Sequence, residues 1–261
     1  MAENQTVLFH STVFGPIISR RLGVSLGINL MPDDGKVCSF DCIYCEAGYN
    51  RQGTGTTGLP AAEAVEKSLD AKLKEMRASD SPLDVITFSG NGEPTLHPDF
   101  GDIIDVTLRL RDKYYPDAKV SVLTNSTRIF TPGVAEALKR VDNNILKLDS
   151  AVENTMRLID QPVSKDFTVE KVVEGLKQFA GTGIIQTMIL RGEHEGMCVD
   201  NSTDEEIAAL IKAYKEISPK EVMLYSIDRS TPEEKLQKVE KPELERIADL
   251  IRKEGIEVKV N

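Results

Sequence analysis

Along the chain, short apolar runs alternate with segments in which apolar residues recur every three or four positions. This alternation predicts strands and helices that follow one another. Apolar, β-branched runs predict strands at 24–31, 83–89, 119–123, 144–149, 184–190, 221–227 and 256–260. Apolar residues three or four positions apart predict helices at 61–77, 98–114, 132–140, 169–180, 203–215 and 242–253. The helix at 203–215 opens with Thr203 and Glu206 at the spacing of a capping box. One face of the first helix collects four apolar side chains: Val65, Leu69, Leu73 and Met76.

The regular alternation of strand and helix predicts an α/β fold, because each helix carries the chain back to begin a parallel strand. About six βα units and a last strand are expected in one domain, since no linker rich in Pro, Gly or Ser divides the chain. The pattern alone leaves two architectures open, an open barrel and a doubly wound sheet. In both, binding sites lie at the carboxyl ends of the strands. The residues with the most distinctive chemistry follow predicted strands: Cys38, Cys42, Cys45, 90–94, Thr124, Asn125, Asp149, Asp228 and Arg229.

Composition and charge exclude several classes of protein. Of the 261 residues, 40% are hydrophobic and 28% are charged, so the chain can bury a core and disorder of the whole chain is excluded. No apolar run is long enough to span a bilayer, and the first residues lack the features of a secretory signal. A cytoplasmic protein without a membrane partner is therefore expected. The net charge of −10 argues against indiscriminate binding to nucleic acid or anionic lipid.

The 4 cysteines carry the most specific chemical signal. Cys38, Cys42 and Cys45 form a C-x3-C-x2-C pattern, whereas Cys198 lies far along the chain and is expected to be a plain thiol. In a chain expected to be cytoplasmic, clustered cysteines more often bind metal than form disulfides. Three thiolates in one loop suit an iron–sulfur cluster, or a zinc ion completed by a histidine or by the fourth cysteine. On a four-iron cube, three thiolates would leave one iron open for another ligand.

The cysteine pattern, with an aromatic residue at Tyr44 before the last cysteine, resembles that of the radical S-adenosylmethionine (radical SAM) superfamily. Segment 90–94, Gly-Asn-Gly-Glu-Pro, follows the second predicted strand and resembles the GGEP element of the family. The resemblance extends from about residue 23 to residue 260. It implies a single domain with a partial (β/α)6 parallel barrel at 23–261, preceded by an N-terminal extension at 1–22.

The resemblance also implies the cofactors and the residues that hold them. Cys38, Cys42 and Cys45 would be catalytic metal ligands of a [4Fe-4S] cluster, whose open iron would chelate the amine and carboxylate of SAM. One electron from a flavodoxin- or ferredoxin-type donor would cleave SAM, and the 5′-deoxyadenosyl radical would abstract hydrogen from the substrate. Glu93 would accept a hydrogen bond from the SAM ammonium, and the glycines of 90–92 would let the backbone approach the methionyl group. The other expected SAM contacts are Tyr44, Gly90, Asn91, Gly92, Thr124, Asn125, Lys147, Asp149 and Tyr225.

Segment 14–32, ahead of the cysteines, narrows the resemblance to one branch of the superfamily. Together with Tyr-Ser-Ile-Asp-Arg at 225–229, it resembles the wyosine-base synthases of transfer RNA and their uncharacterised bacterial relatives. The synthases carry a second iron–sulfur cluster on cysteines upstream of the first set, whereas no cysteine precedes Cys38. Pyruvate activation at a second cluster is therefore not expected. The side chains expected to meet the substrate are Arg20, Arg21, Asp228 and Arg229.

The leading hypothesis is a radical SAM enzyme that acts on a small anionic substrate, because an arginine pair binds carboxylates and phosphates well. A tRNA-modifying enzyme related to wyosine synthesis is disfavoured by the net charge of −10, since tRNA binding requires a basic stripe. A glycyl-radical activase or a peptide-modifying enzyme is a further alternative, although many peptide modifiers carry a cysteine-rich extension. The non-enzymatic alternative, an iron–sulfur electron carrier, leaves the Gly-Glu-Pro element without a role.

Overall fold

The structure is a computed structural model, and it describes residues 7–19 and 21–261. Its strands are β1 (Val13–Ser19), β2 (Gly23–Ile28), β3 (Val85–Phe88), β4 (Lys119–Thr124), β5 (Asn143–Lys147), β6 (Ile184–Met188), β7 (Leu190–His194), β8 (Met197–Asp200), β9 (Glu221–Tyr225), β10 (Gln237–Lys238) and β11 (Val258–Val260). Its helices are α1 (Ala62–Ala78), α2 (Phe100–Tyr114), α3 (Pro132–Arg140), α4 (Glu153–Asp160), α5 (Val169–Leu176), α6 (Asp204–Ile217) and α7 (Lys241–Arg252).

One large sheet holds eight of the strands, in the order β1-β2-β3-β4-β5-β6-β9-β11, and β10, β7 and β8 form a small second sheet. The large sheet is parallel from β2 to β11, while β1 pairs with β2 in the antiparallel sense. Its spatial order follows the chain, whereas a doubly wound sheet reverses direction at a switch point. The predicted α/β fold with a parallel sheet is confirmed, and the sheet winds in one direction as a barrel does. Among the described residues no pairing joins β1 to β11, so the sheet stays open.

The large sheet curls, because residues from distant strands meet on its inner face. From β2 to β9 the sheet crosses five strand spacings, which is about 24 Å in a flat sheet. Yet Leu22, beside β2, packs against the buried cluster of Ile145, Ile184 and Met223, which belong to β5, β6 and β9. In the same way, the guanidinium carbon of Arg21 lies 4.8 Å from the centroid of the Tyr225 ring. The curl therefore brings the residues just before β2 close to the carboxyl end of β9.

The outer face of the sheet forms the main hydrophobic core with the helices. Val65, Leu69, Leu73 and Met76 of α1 are all buried, so the predicted apolar face of this helix is confirmed. Strand residues such as Ile86 belong to the same core cluster. No helix in the described ranges has both the length and the apolar character needed to cross a membrane.

Three elements differ from the predicted pattern. Residues 13–19, expected to belong to an N-terminal extension, form the edge strand β1. Pro16 has no backbone N–H to donate, and an edge strand tolerates this because one of its sides has no neighbouring strand. The predicted strand 184–190 ends at Met188, and the chain continues as the β7–β8 hairpin of the small sheet. The eight-residue helix α4 was not predicted, because it is short and buries only Met156, Ile159 and Asp160.

Candidate functional site

The three cysteines of the C-x3-C-x2-C pattern lie in one loop, residues 36–50, here called the cysteine loop. It follows β2 at the carboxyl edge of the sheet, where the parallel strands end. Lys36, only 2% exposed, ties its two ends together, since Nζ donates to the Gly48 carbonyl at 2.6 Å and to Asp41 Oδ1 at 3.2 Å. The same Asp41 oxygen accepts the backbone N–H of Asn50 at 2.7 Å, and the Asn50 amide donates to two carbonyls within the loop. The loop conformation is thus held by its own side chains.

Helix α4 supports the cysteine loop from the side. The backbone N–H groups of Ile43 and Asp41 donate to the carbonyls of Ile159 and Asp160, at 3.0 and 3.1 Å. These bonds satisfy carbonyl groups at the C-terminal end of the helix, which have no partner within it. The sequence signal for α4 was weak but present, an acidic first turn followed by apolar residues three positions apart.

The three thiols of the cysteine loop are a donor set that fits an iron–sulfur cluster. Cys42 is buried and Cys38 is partly buried, and burial raises the pKa of the Cys38 thiol to about 12 and that of Cys42 well above its usual value. A bound metal is therefore needed to deprotonate them. In residues 7–19 and 21–261, no three Cys, His, Asp or Glu side chains converge closely enough to hold one metal ion. A cube binds each thiolate through a different iron, so its ligands stand apart.

The zinc alternative gains no support from the positions of the remaining donors. His97 is occupied, because its Nε2 bonds the Pro60 carbonyl at 2.8 Å and its Nδ1 accepts the N–H of Asp99 at 3.1 Å. The ring of His10 bonds the Asp33 carbonyl at 2.9 Å. Cys198 is exposed on β8, in the small sheet. To serve as a fourth zinc ligand, His97, His10 or Cys198 would have to move from its present position.

Segment 90–92, after β3, lies against the cysteine loop through its backbone. The N–H of Val37 donates to the Asn91 carbonyl at 3.0 Å, and a Cβ on Gly92 would lie 1.8 Å from the Val37 carbonyl oxygen. A Cβ on Gly90 would lie 2.4 Å from Asn29 Oδ1, and both glycines have positive φ. From the sequence, these glycines are expected to let the backbone approach SAM. The structure gives a different reason, which is the close contact of this segment with the chain itself.

Asn91, expected to contact SAM, is fully engaged within the protein. Its Oδ1 accepts the N–H of Phe9 at 2.8 Å, and its Nδ2 donates to the carbonyls of Phe9 and Pro32 at 2.9 and 2.8 Å. Its backbone N–H donates to Asn29 at 3.0 Å. Asn91 therefore joins segment 90–92 to the residues before β1 and after β2.

Glu93 is buried and joins three segments at the carboxyl edge. Its Oε1 accepts the N–H of Thr95 at 3.1 Å and the hydroxyl of Thr124 at 2.7 Å, and its Oε2 accepts the N–H of Asn125 at 2.7 Å. Burial raises its pKa, and these hydrogen bonds only partly oppose the effect. The Asn125 amide in turn reaches Cys38 Sγ at 3.6 Å. Thr124 and Asn125, predicted from the end of their strand, thus connect Glu93 to the cysteine loop.

A buried polar cluster lies on the other side of the cysteine loop, at the end of β5. Lys147 Nζ is 2.6 Å from Asp149 Oδ2, 2.9 Å from Asp160 Oδ1 and 3.4 Å from Cys42 Sγ. It also donates to the Tyr44 hydroxyl, which itself donates to Asp149, and it lies 4.4 Å from the Tyr44 ring centroid. Tyr44, Lys147 and Asp149, all expected near SAM, are brought together. Asp160 was not anticipated.

Burial and charge act in opposite directions within this cluster. Burial raises the pKa of Asp160 to about 8, although the Lys147 ammonium opposes the shift. Burial lowers the pKa of Lys147, but the neighbouring Asp149 and Asp160 outweigh it and hold the pKa well above its usual value. The lysine therefore stays protonated beside the Cys42 thiol.

The expected substrate residue Arg21 is exposed and lies just before β2. Its guanidinium lies over the Tyr225 ring, and burial raises the pKa of the Tyr225 hydroxyl to about 12. Among the residues that the structure describes, no carboxylate forms an ion pair with Arg21. Arg20, its expected partner, lies outside the described residues.

The other expected substrate residues, Asp228 and Arg229, belong to the loop after β9. Arg229 Nη1 is 2.6 Å from Glu46 Oε2, next to Cys45, and Lys238 Nζ is 3.1 Å from Asp228 Oδ1. Their ion pairs fix the loop after β9 to the cysteine loop and to β10.

A second link between these loops was missed by the sequence analysis. Glu233 accepts a hydrogen bond from the Tyr49 hydroxyl, and its Oε1 is 3.2 Å from Nδ1 of the buried His194 on β7. His194 Nε2 lies 2.6 Å from the Gln161 amide nitrogen, just after α4. These residues are distant in sequence, so no local spacing could have indicated the contact.

Comparison with known proteins agrees with this arrangement. The family model described as the radical SAM superfamily matches residues 34–213, which is more than half of the chain. A UPF0026 protein of Methanocaldococcus jannaschii is 32% identical over 91% of this chain and 69% of its own length. A protein of Brachyspira hyodysenteriae named GTPase Obg is 33% identical over 90% of this chain. This chain spans only 32% of the length of that second relative.

Solved structures with low sequence identity share the fold. A radical SAM methyltransferase from Sphaerobacter thermophilus superposes with a TM-score of 0.66 at 13% identity, covering 91% of this chain and 65% of that one. TYW1 with a lysine-pyruvate adduct bound gives a TM-score of 0.61 at 16% identity, covering 88% and 73% of the two chains. With the matched family model and the relative from Methanocaldococcus, they lead to one conclusion: the chain belongs to the radical SAM superfamily of enzymes, whose members use a [4Fe-4S] cluster and SAM.

Proposed function

We propose that this chain binds one [4Fe-4S] cluster through Cys38, Cys42 and Cys45, and cleaves SAM reductively to start a reaction on a small anionic substrate. The observation that carries the proposal is the convergence of the cysteine loop with two buried polar groups, Glu93 on one side and Lys147 on the other. When bound, the cluster and SAM supply a 5′-deoxyadenosyl radical that removes a hydrogen atom from the substrate. A flavodoxin- or ferredoxin-type protein provides the electron.

The residues around the cysteine loop position SAM and keep water away from it. Glu93 accepts a hydrogen bond from the SAM ammonium, since its carboxylate is buried at the carboxyl edge beside the loop. The backbone near Tyr44 meets the adenine, and Tyr225 flanks it. Asp149 and Thr124 lie at the strand ends, where they contact the ribose or carboxylate of SAM. The other proposed SAM contacts belong to the same edge: Gly90, Asn91, Gly92, Asn125 and Lys147. Asn91 contributes through its backbone, because its side chain is engaged within the protein.

The anionic character of the substrate follows from Arg21. A guanidinium that lies over an aromatic ring, and that has no ion-pair partner among the described residues, is suited to a carboxylate or a single phosphate. Arg20 belongs to the same proposed substrate site. Asp228 and Arg229 contribute at its rim, through the loop after β9.

The test is anaerobic turnover with a panel of deuterated small carboxylates and phosphate monoesters. Dithionite and SAM should release 5′-deoxyadenosine, and a true substrate should transfer deuterium into it. Arg21→Gln should lower kcat/KM for that substrate about 10- to 100-fold, as expected for a lost charged hydrogen bond of about 1.5–3 kcal/mol. Arg77→Gln is the matched control, because Arg77 lies over the ring of Tyr115 on the outer surface, 5.6 Å from its centroid. An equal effect in both variants would contradict the substrate assignment.

A bulk tRNA bound through its phosphates is not expected to be the substrate. The net charge is −10, and Lys36, one of the few cations before the cysteines, is buried. Binding through many phosphates gives a log–log salt slope of roughly −0.7 to −0.9 for each phosphate neutralised. A tRNA titration at two salt concentrations should therefore show weak binding with a shallow slope. Sub-micromolar binding with a slope steeper than about −4 would restore tRNA modification as the leading function.

The same turnover experiment distinguishes the proposed function from two alternatives. An iron–sulfur electron carrier would take up an electron without releasing 5′-deoxyadenosine. A glycyl-radical activase or a peptide-modifying enzyme would release it only when a protein or peptide is present. The likeness to TYW1, at 16% identity, concerns the fold.

A further inference from the structure

The buried Lys147 has a set of contacts that binding SAM does not require. Its ammonium has two carboxylates at 2.6 and 2.9 Å, the Tyr44 hydroxyl as a hydrogen-bond acceptor, and Cys42 Sγ at 3.4 Å. An ammonium has three N–H donors and faces four acceptors here, so at least one N–H is shared and none is left without a partner within the protein. The side chain is only 12% exposed. Its position is therefore fixed by the chain itself, against one of the proposed cluster ligands.

The partners of Lys147 hold it from two directions. Asp149 follows β5, and its other oxygen accepts the backbone N–H of Met188 at 2.8 Å, so this carboxylate is anchored to β6. Asp160 ends α4, the same helix end that accepts backbone N–H groups of the cysteine loop. The lysine thus lies at the junction of the sheet, α4 and the loop that carries Cys42. A substitution that removes its charge leaves each of these backbone bonds in place.

A positive charge at a cluster thiolate changes the free energy of reduction. A cube with three thiolates gains one negative charge when it accepts an electron, and a nearby ammonium stabilises the more negative state more strongly. Reduction potentials of iron–sulfur clusters are known to depend on net charge, hydrogen bonds to the sulfurs and solvent exposure. All three factors meet at Cys42, which is buried and has the Lys147 ammonium within hydrogen-bond distance.

We propose that Lys147 is a positioning residue that raises the reduction potential of the cluster by donating a charged hydrogen bond to the Cys42 thiolate, with Asp160 and Asp149 holding it there. The inference rests on the proposed function only in that Cys42 is a cluster ligand. It gives Lys147 a role that is present before SAM binds.

The test is an anaerobic redox titration of the reconstituted full chain without SAM, followed by electron paramagnetic resonance. Lys147→Met should lower the midpoint potential enough to change the ratio of reduced to oxidised cluster about tenfold at a fixed potential, which is 59 mV for one electron. Lys165→Met is the surface control, because Lys165 is exposed between α4 and α5, and it should leave the midpoint unchanged.

A second pair of variants keeps the test decisive if the buried carboxylates prevent Lys147→Met from folding. The double variant Lys147→Met/Asp160→Asn removes the lysine together with one of its carboxylates, and it is compared with Asp160→Asn alone. The double variant should have the lower midpoint of the two, because only the ammonium differs between them. Iron content and circular dichroism should match in both proteins.

Each outcome separates this inference from the proposed function. An unchanged or raised midpoint in Lys147→Met, with a full complement of iron, would overturn the inference and leave the proposed function intact. If Lys147→Met binds SAM more weakly but has an unchanged midpoint potential, Lys147 acts only in binding SAM. That result would also overturn the inference. A normal cluster in Cys42→Ala would instead remove the ligand on which both depend.

Discussion

Replacing Cys42 by alanine is expected to abolish the four-iron cluster, so that the iron content of the anaerobically reconstituted protein falls from about four atoms per chain towards zero. Cys42 is the most buried of the three thiols in the cysteine loop and lies between Lys147 and the end of α4. Two remaining thiolates would hold only two of the four irons. Cys38→Ala and Cys45→Ala should have the same effect. Iron analysis and visible absorption measure it directly.

The loss of the cluster in these variants should not reflect a loss of the fold. The cysteine loop is held by Lys36, Asp41 and Asn50, whose hydrogen bonds do not involve a thiol. The circular dichroism spectrum of Cys42→Ala should therefore match that of the unchanged protein. Cys198→Ala is the control, because Cys198 is exposed on β8, and it should keep the cluster. A normal cluster in Cys42→Ala, or its loss in Cys198→Ala, would contradict the assignment of ligands.

The main elements of the fold were predictable because their signals are local. A strand or a helix shows its buried face within a few residues, and all seven predicted strands and six predicted helices are present in the structure, apart from shifts at their ends. The apolar face of α1 is an example, since its four predicted residues are the four it buries. The cysteine pattern is equally local, because its residues lie in one loop.

Local spacing was less reliable where a distant partner competes for a side chain. Thr203 caps α6 as predicted, since its hydroxyl accepts the N–H of Glu206. The Glu206 carboxylate, however, does not complete the capping box and instead accepts the Ser150 hydroxyl at 2.6 Å. A buried donor without a partner costs free energy, so the tertiary contact prevailed over the local one.

The polar groups around the cysteines could be predicted only in part. Glu93 was expected from the resemblance of segment 90–94 to the GGEP element of the family. Lys147, Asp149 and Thr124 were expected because parallel strands end at one edge, where members of the family often bind SAM. Asp160 was not, since it lies 118 residues from Cys42 in sequence and reaches it through a helix that the pattern did not reveal. Other contacts between distant loops could not be predicted either, because the residues of a buried polar network follow no regular spacing along the chain.

Replacing Glu93 by alanine is expected to weaken SAM binding about 10- to 100-fold while the cluster remains in place. The lost contact is a hydrogen bond between a carboxylate and an ammonium, worth about 1.5–3 kcal/mol. Calorimetric titration of the cluster-loaded protein with SAM measures the dissociation constant, and iron analysis confirms the cluster. Glu93 also accepts hydrogen bonds from Thr95, Thr124 and Asn125, so the free energy of unfolding should fall as well.

The matched control must disturb the same loop without removing the carboxylate. Thr95→Val removes the hydroxyl that donates to Glu93 Oε1, while the backbone N–H of residue 95 still donates at 3.1 Å. This variant should lose stability but bind SAM with nearly unchanged affinity, because the Glu93 carboxylate keeps its charge and its bonds to Thr124 and Asn125. An unchanged dissociation constant in Glu93→Ala would show that Glu93 only shapes the turn after β3. Equal losses of affinity in both variants would show that order in this loop, rather than the charge of Glu93, governs the binding of SAM.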